Sequence, residues 1–323
     1  MEVLRYMQDV NIFELNSTSC KNVEGILREM GTLHELSVCE LSFAAESAAK
    51  SISELLDAGM TVNEATSLLS DEISLPDVRD EERIPSLTSE NVKSFLSHTS
   101  NLNKVIFAEL LVKRLAELGI TVSEGDYLPG IDSEETFAYV KNSLSDEAFD
   151  VFSQEFSDPR IVYADNFKDA CRMVADGKVG YCILPFEEKG GARINSIVEL
   201  VSSLDLKIAA ITPVFGFEGN ADVKYALVGR GFTIPENDEF TDRYLEIEVH
   251  RNSSLSLGEL ISASEYLSLS IFSVNTTSNA IADGDFIHTL IFKDEKKSFT
   301  DFLTYLNIFA GSHTPVGIYK NIE

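Results

Sequence analysis

Glu187, Glu188, Lys189 and Arg193 crowd around the pair Gly190-Gly191, and chemistry can first be read from these residues. They stand between a short apolar run, Tyr181 to Leu184, and apolar residues at helical spacing, Ile194, Ile197, Val198 and Val201. Beyond the carboxyl end of a strand, free amides and the helix dipole favour an anion. The four charged side chains therefore fall where an anionic ligand would settle. A plainer reading of Arg193 is a solvated guanidinium, or one paired with Glu187 or Glu188.

The elements that must position these residues follow from period and punctuation. Tyr181 to Leu184 lacks polar alternation, which suits a strand covered on both faces of a parallel sheet. Pro185 is expected to stop it, the glycines to turn the chain, and a helix to begin near Ala192. Before it, Phe137 to Val140 and Arg160 to Tyr163 read as strands, Asp146 to Phe156 and Phe167 to Ala175 as helices. After it come strands at Leu206 to Ile211 and Val223 to Gly229, with only eight residues, Phe215 to Asp222, between them. That length makes a loop. From about Tyr244 the pattern is strand, helix, strand, strand, helix, strand, the order of a ferredoxin-like βαββαβ unit.

The first 128 residues read as helical. Asn22 to Met30 and Glu40 to Leu56 have helical period, the second with Ala44, Ala45, Ala48 and Ala49 as a small-residue face. Thr61 with Glu64 forms a capping-box pattern. Pro76 to Pro85 reads as a loop, and Asn101 to Leu118, closed by Gly119, as the strongest helix. Gly125 to Glu135 and Gly231 to Arg243 are linkers by composition. The expected organisation is an α/β and α+β multidomain chain: a helical domain (1–128), a parallel-sheet α/β lobe (129–235) and a C-terminal βαββαβ domain (240–323).

The balance of 26 basic to 53 acidic residues, net charge −27, repels phosphate backbones and anionic lipid, so neither nucleic acid nor membrane is an expected partner. With 44% hydrophobic residues the chain can bury cores. No run reaches the roughly 18 apolar residues of a membrane span, and Met1 to Asp9 does not read as a leader, so a cytoplasmic location is expected. Four cysteines and five histidines are scattered without ligand spacing. No metal, cofactor or disulfide framework is expected, and the cysteines read as small buried hydrophobes.

From Gly177 to Val201 the chain resembles, without a gap, the central motif of prephenate dehydratases, which reads roughly Asp-Tyr-Gly-Val-Val-Pro-Ile-Glu-Asn-Ser before a helix. Thr136 to Val140 with Ser145 to Ala148, Asn166 to Ala170 and Val174 to Gly177 are similar to that family's first strand and helices. Gly311-Ser-His-Thr-Pro315 resembles the ending of its ACT domain. The likeness extends over about 185 residues, each motif alone being weak. It implies half of a periplasmic-binding-protein-like fold followed by an ACT domain, a link to phenylalanine biosynthesis, and a homodimer paired through the ACT domains.

The resemblance also implies which residues would work. The family's proton donor is the threonine of Thr-Arg-Phe; Val223 holds that position and has no proton to give. Lys224 replaces the arginine and Tyr225 the phenylalanine. Glu187 is kept from Glu-Asn-Ser, while Glu188 and Lys189 replace the amide and the hydroxyl. Where the family inserts a second lobe this chain has eight residues. A phenylalanine or prephenate-like ligand would meet Glu187, Glu188, Lys189, Arg193, Lys224 and Tyr225 in the lobe, and Ser256, Leu257, Ser273 and Asn275 in the ACT domain. No catalytic residue is assigned. The expectation is a non-catalytic regulatory or scaffold protein. The alternatives are an active dehydratase or chorismate mutase completed by the N-terminal helices or another subunit, and a small-molecule sensor. The inward arginines and lysine of a chorismate mutase are not found among Arg5, Lys21, Arg28, Lys50, Lys113 and Arg114.

Overall fold

The computed structural model describes residues 38–69, 100–189, 191–215, 223–235, 242–250, 253–278, 286–294 and 298–322. The expected helix at Asn22 to Met30, the loop from Pro76 to Pro85, and most of the 215–222 connection lie outside them. In chain order the elements are α1 (Val38–Asp57), α2 (Val62–Ser67), α3 (Asn101–Glu117), α4 (Glu124–Tyr127), β1 (Thr136–Tyr139), α5 (Ser143–Phe152), β2 (Arg160–Tyr163), α6 (Phe167–Ala175), β3 (Tyr181–Glu188), α7 (Asn195–Ser203), β4 (Lys207–Val214), β5 (Val223–Gly229), β6 (Arg243–His250), α8 (Leu257–Tyr266), β7 (Leu269–Ser278), β8 (Phe286–Asp294), α9 (Thr300–Phe309) and β9 (His313–Asn321).

The strands form one nine-stranded sheet in the order β2-β1-β3-β5-β4-β9-β6-β8-β7. It is mixed, which corrects the expectation of a parallel lobe. β1 runs parallel to β2 and β3, but β5 lies antiparallel between β3 and β4. The reason is the short connection: Val214 pairs with Val223, and adjacent ends joined so briefly can only be antiparallel. β4 also pairs in parallel with β9, so lobe and C-terminal strands share one sheet. At that seam Gly317 lies against β4: a Cβ there would come within 2.6 Å of the Ile208 carbonyl oxygen.

Contacts group the chain into two compact units. One holds residues 1–127, 252–269 and 298–313, the other 128–251, 270–297 and 314–323.

In the first unit the N-terminal helices give α8 and α9 a second layer. Ala44, Ala45, Ala48 and Ala49 are buried as their spacing required, in a core with Phe107, Leu111 and Ile308. Polar ties accompany the apolar contact. Asn101 Nδ2 donates to the Glu259 carbonyl and the Ser262 hydroxyl, both at 2.8 Å, and Asn101 Oδ1 accepts from Tyr305 at 2.6 Å. Asn307 Nδ2 donates to the Asn63 carbonyl at 2.9 Å. The Thr61–Glu64 capping box is present.

In the second unit α6 and α7 cover one face of the sheet, burying Ala170, Cys171, Val174, Ile197 and Val201 against Cys182, Leu184 and Val228. α5 covers the other, with Ala148 and Phe152 against Phe137, Ile183, Tyr225 and Leu227. Phe137 meets Phe149, Phe156 and Tyr181 at ring distances of 4.9 to 5.6 Å. Such pairs each add about 0.5–1.5 kcal/mol beyond area burial.

Candidate functional site

Pro185 does not end the strand. β3 continues to Glu188, with the register slipping between Pro185 and Glu187. A bulge is where a central strand can hold proline, since no ladder amide is needed from it. The slip also decides chemistry. In regular alternation Glu187 would share the face of Ile183; after the bulge it stands opposite Lys224, and Lys224 Nζ reaches Glu187 Oε2 at 2.7 Å.

The expected helix start near Ala192 is likewise corrected. The Glu188 amide donates to the Ala192 carbonyl at 2.9 Å, and Arg193 bridges back to Glu187 in antiparallel fashion. Gly191 takes φ +84, a left-handed conformation that suits glycine. Gly191, whose amide donates to the Glu188 carbonyl at 3.0 Å, thus turns the chain back on β3, and the helix begins only at Asn195, with Ile194 at its N-cap and no side-chain cap. Arg193 consequently lies on the sheet and is not at a helix terminus.

There it forms the centre of a buried network. Its Nε lies 3.4 Å from Glu187 Oε1, and its Nη2 donates to Glu246 Oε2 at 2.9 Å. The Tyr319 hydroxyl donates to the same Glu246 oxygen at 2.8 Å. The guanidinium carbon stands 4.0 Å from the centre of the Phe186 ring, and Nη1 is buried without a hydrogen-bond partner. Glu246 is 3% exposed and Tyr319 2%. Five segments, β3, its hairpin, β5, β6 and β9, each contribute a group.

Burial pushes the Glu246 carboxyl above its usual range, only partly opposed by Arg193 and Tyr319. Burial by itself would weaken the Arg193 cation, but Glu246, Tyr319 and Glu187 together raise its pKa. Both partners therefore shift upward: the guanidinium stays charged, while Glu246 is not fully repaid for leaving water. Two cations, Arg193 and Lys224, face two carboxylates, Glu187 and Glu246, and each charge is answered inside the protein. Beside this network a pocket lined by Phe186, Lys207, Glu246, Glu248, Thr314 and Pro315 has a volume of about 30 Å³, room for one or two waters.

The other sequence candidates are dispersed. Glu188 and Lys189 are exposed. Tyr225 points to the opposite face of the sheet from Lys224, buried in the α5-side core with Val223 packed against it. Ser256 caps α8 through a capping box with Glu259, and Leu257 opens that helix. Ser273 and Asn275 lie on β7, where Asn275 Nδ2 donates to Ser273 Oγ at 3.2 Å. The Ser256 pair and the Ser273 pair belong to different compact units. At the carboxyl end of β1, the first-turn amides of α5 that would greet an anion, those of Leu144 and Ser145, already donate to Asn142 Oδ1. Asp146 accepts from Tyr139 close by.

Sequence reasoning missed Glu246 and Tyr319. Glu246 alternates with Leu245 and Ile247, which reads as a solvent-facing position, and no local signal marks it as buried. Among the described residues no group of three or more histidines, cysteines or acids is placed to hold a metal ion. No described helix is long and apolar enough to cross a membrane.

No protein-family model and no curated protein matches the chain. Solved structures with a similar chain path include prephenate dehydratases. That of Streptococcus mutans aligns at TM-score 0.43 and 14% identity, over 58% of this chain and 98% of its own. That of Arthrobacter aurescens, in complex with L-Phe, aligns at TM-score 0.41 and 10% identity, over 57% and 89%. GqqA, described as a novel type of quorum quenching acylase, aligns at TM-score 0.43 and 14% identity, over 58% and 95%.

Proposed function

We propose that this chain is a prephenate dehydratase-like protein of aromatic amino-acid metabolism that has no dehydratase activity and acts as a regulator or scaffold. The observation that carries the reading is the closed network around Arg193. Arg193 and Lys224, the cations best placed to hold a dicarboxylate, are spent on Glu187 and Glu246. A substrate would have to displace buried partners to reach them. Two further facts support it: Val223 offers no proton, and an eight-residue connection stands where the family carries a second lobe. Loss of a general acid alone costs about 10² to 10⁴ in rate.

The test is an absorbance assay for phenylpyruvate with purified protein and prephenate. No turnover is expected, and Val223→Thr restores none. Turnover above about 1 per second, ordinary for an enzyme, overturns the reading. In the same proposal, the β6-α8-β7-β8-α9-β9 segment is an ACT-like module, supported by its strand order β9-β6-β8-β7, and the protein is a cytoplasmic homodimer. β9 is occupied by β4, so pairing falls to β7, an outer strand. Its ten residues carry no charge, and Phe272 and Val274 on it are exposed. On a chain of net charge −27, an uncharged edge is where a like-charged copy meets least repulsion. Light scattering should give a dimer at micromolar concentration and a monomer for Phe272→Lys.

A further inference from the structure

The fold brings together a pair of nucleophilic atoms that the network does not use. Cys171 is on the inner face of α6 and Cys182 on β3, and their sulfurs lie 3.9 Å apart in hydrogen-bond contact. Both thiols are free and 0% exposed. We propose that Cys171 and Cys182 are a latent disulfide, a modification site at which a low-molecular-weight disulfide such as oxidised glutathione staples α6 to β3.

The sulfurs must close from 3.9 Å to about 2.05 Å; Ala138 stands opposite Cys182 in the β1 register and Val228 in the β5 register, and Ala170 adjoins Cys171. The chemistry balances. One cysteine thiolate attacks the glutathione disulfide, forming a mixed disulfide and releasing one reduced glutathione. The second thiolate then attacks the protein sulfur of that mixed disulfide, forming the Cys171–Cys182 bond and expelling a second. The protein loses two protons and two electrons, and the oxidant takes up both pairs.

Burial pushes the Cys182 thiol well above its ordinary range, with Cys171 adding to the shift. In the closed state the thiolate is therefore scarce, and reaction waits for α6 to lift from the sheet. That helix has only nine residues, and local openings of short elements lie well below global unfolding in free energy. The site thus senses oxidant only as fast as α6 opens. Once formed, the bond closes a short loop and holds α6 down, stabilising the folded lobe against its unfolded chain.

The full-length protein carrying Cys20→Ser and Cys39→Ser isolates the pair. Incubated in native buffer with oxidised glutathione, it should lose two hydrogens by mass with no adduct retained. Peptide mapping should join Cys171 to Cys182, and the Tm should rise by a few degrees and fall back on dithiothreitol. Adding Cys171→Ser should leave one glutathione adduct at Cys182 and no rise in Tm. The proposal is overturned if the mass stays unchanged after amide exchange has shown α6 to open, or if the bond forms only in unfolded protein and lowers the Tm on refolding.

Discussion

Replacing Arg193 with methionine tests the buried network most directly. The guanidinium has 14% of its side-chain surface exposed and Glu246 4%, so solvent does little to screen what is lost. Lys224 still answers Glu187 at 2.7 Å, which leaves Glu246 stranded, with the Tyr319 hydroxyl as its remaining donor. Removing one partner of a buried ion pair costs about 3–5 kcal/mol. The cost depends on pH, and the sign follows from the carboxyl. Glu246 in the fold already sits above its ordinary pKa, and loss of the cation raises it further. The folded state then binds more protons than the unfolded state above the unfolded carboxylate pKa of about 4.3, so stability falls as pH rises. Urea unfolding of Arg193→Met at pH 8 should show a loss of about 3–5 kcal/mol, shrinking towards pH 5 as Glu246 takes up its proton. Adding Glu246→Gln should recover most of the loss and flatten the pH dependence. If Arg193→Met unfolds at the parent's urea concentration at pH 8, the guanidinium is solvated and the closed-site argument fails with it.

Gly317→Ala would press a Cβ to 2.6 Å from the Ile208 carbonyl, and overpacking of this kind costs about 1–3 kcal/mol; faster amide exchange in β9 than in β1 would locate the damage at the β4–β9 seam. Burial lowers the His313 imidazole from 6.5 to about 4. Its neutral form stabilises the fold fully above pH 6.5, and this is lost as pH falls towards 4. This drop sets a ceiling of about 3–4 kcal/mol, lowered by partial solvation of the ring, and the acid limb of the Tm profile should flatten in His313→Gln. Asn101→Ala removes three polar ties at once, to Glu259, Ser262 and Tyr305. At about 1 kcal/mol each it should cost roughly 2–3 kcal/mol, and limited proteolysis should cut α1 to α3 sooner. Unchanged cleavage would show that the apolar core alone holds those helices.

What residues within a few positions of one another control was readable from the sequence. The Thr61–Glu64 box, the 101–117 helix, the 160–163 strand and the 167–175 helix lie where period and caps put them. Hydrogen bonds spanning three or four residues and a face repeating every two or 3.6 residues are local facts. The tertiary structure decided the rest, because it rests on partners far off in the chain. Pro185 obeys the strand-breaking rule until neighbouring strands absorb it in a bulge, and that one-residue slip turns Glu187 towards Lys224. Glu246 reads as a polar position on a half-solvated strand; Tyr319 of β9 meets it from 73 residues away, and Arg193, 53 residues away, answers its charge. Cys171 and Cys182 have no motif spacing, and meet only because α6 packs on β3. Local sequence sets which elements form, whereas register and cover decide which of their charges meet, since a buried charge is tolerable only beside a partner that the rest of the chain must deliver.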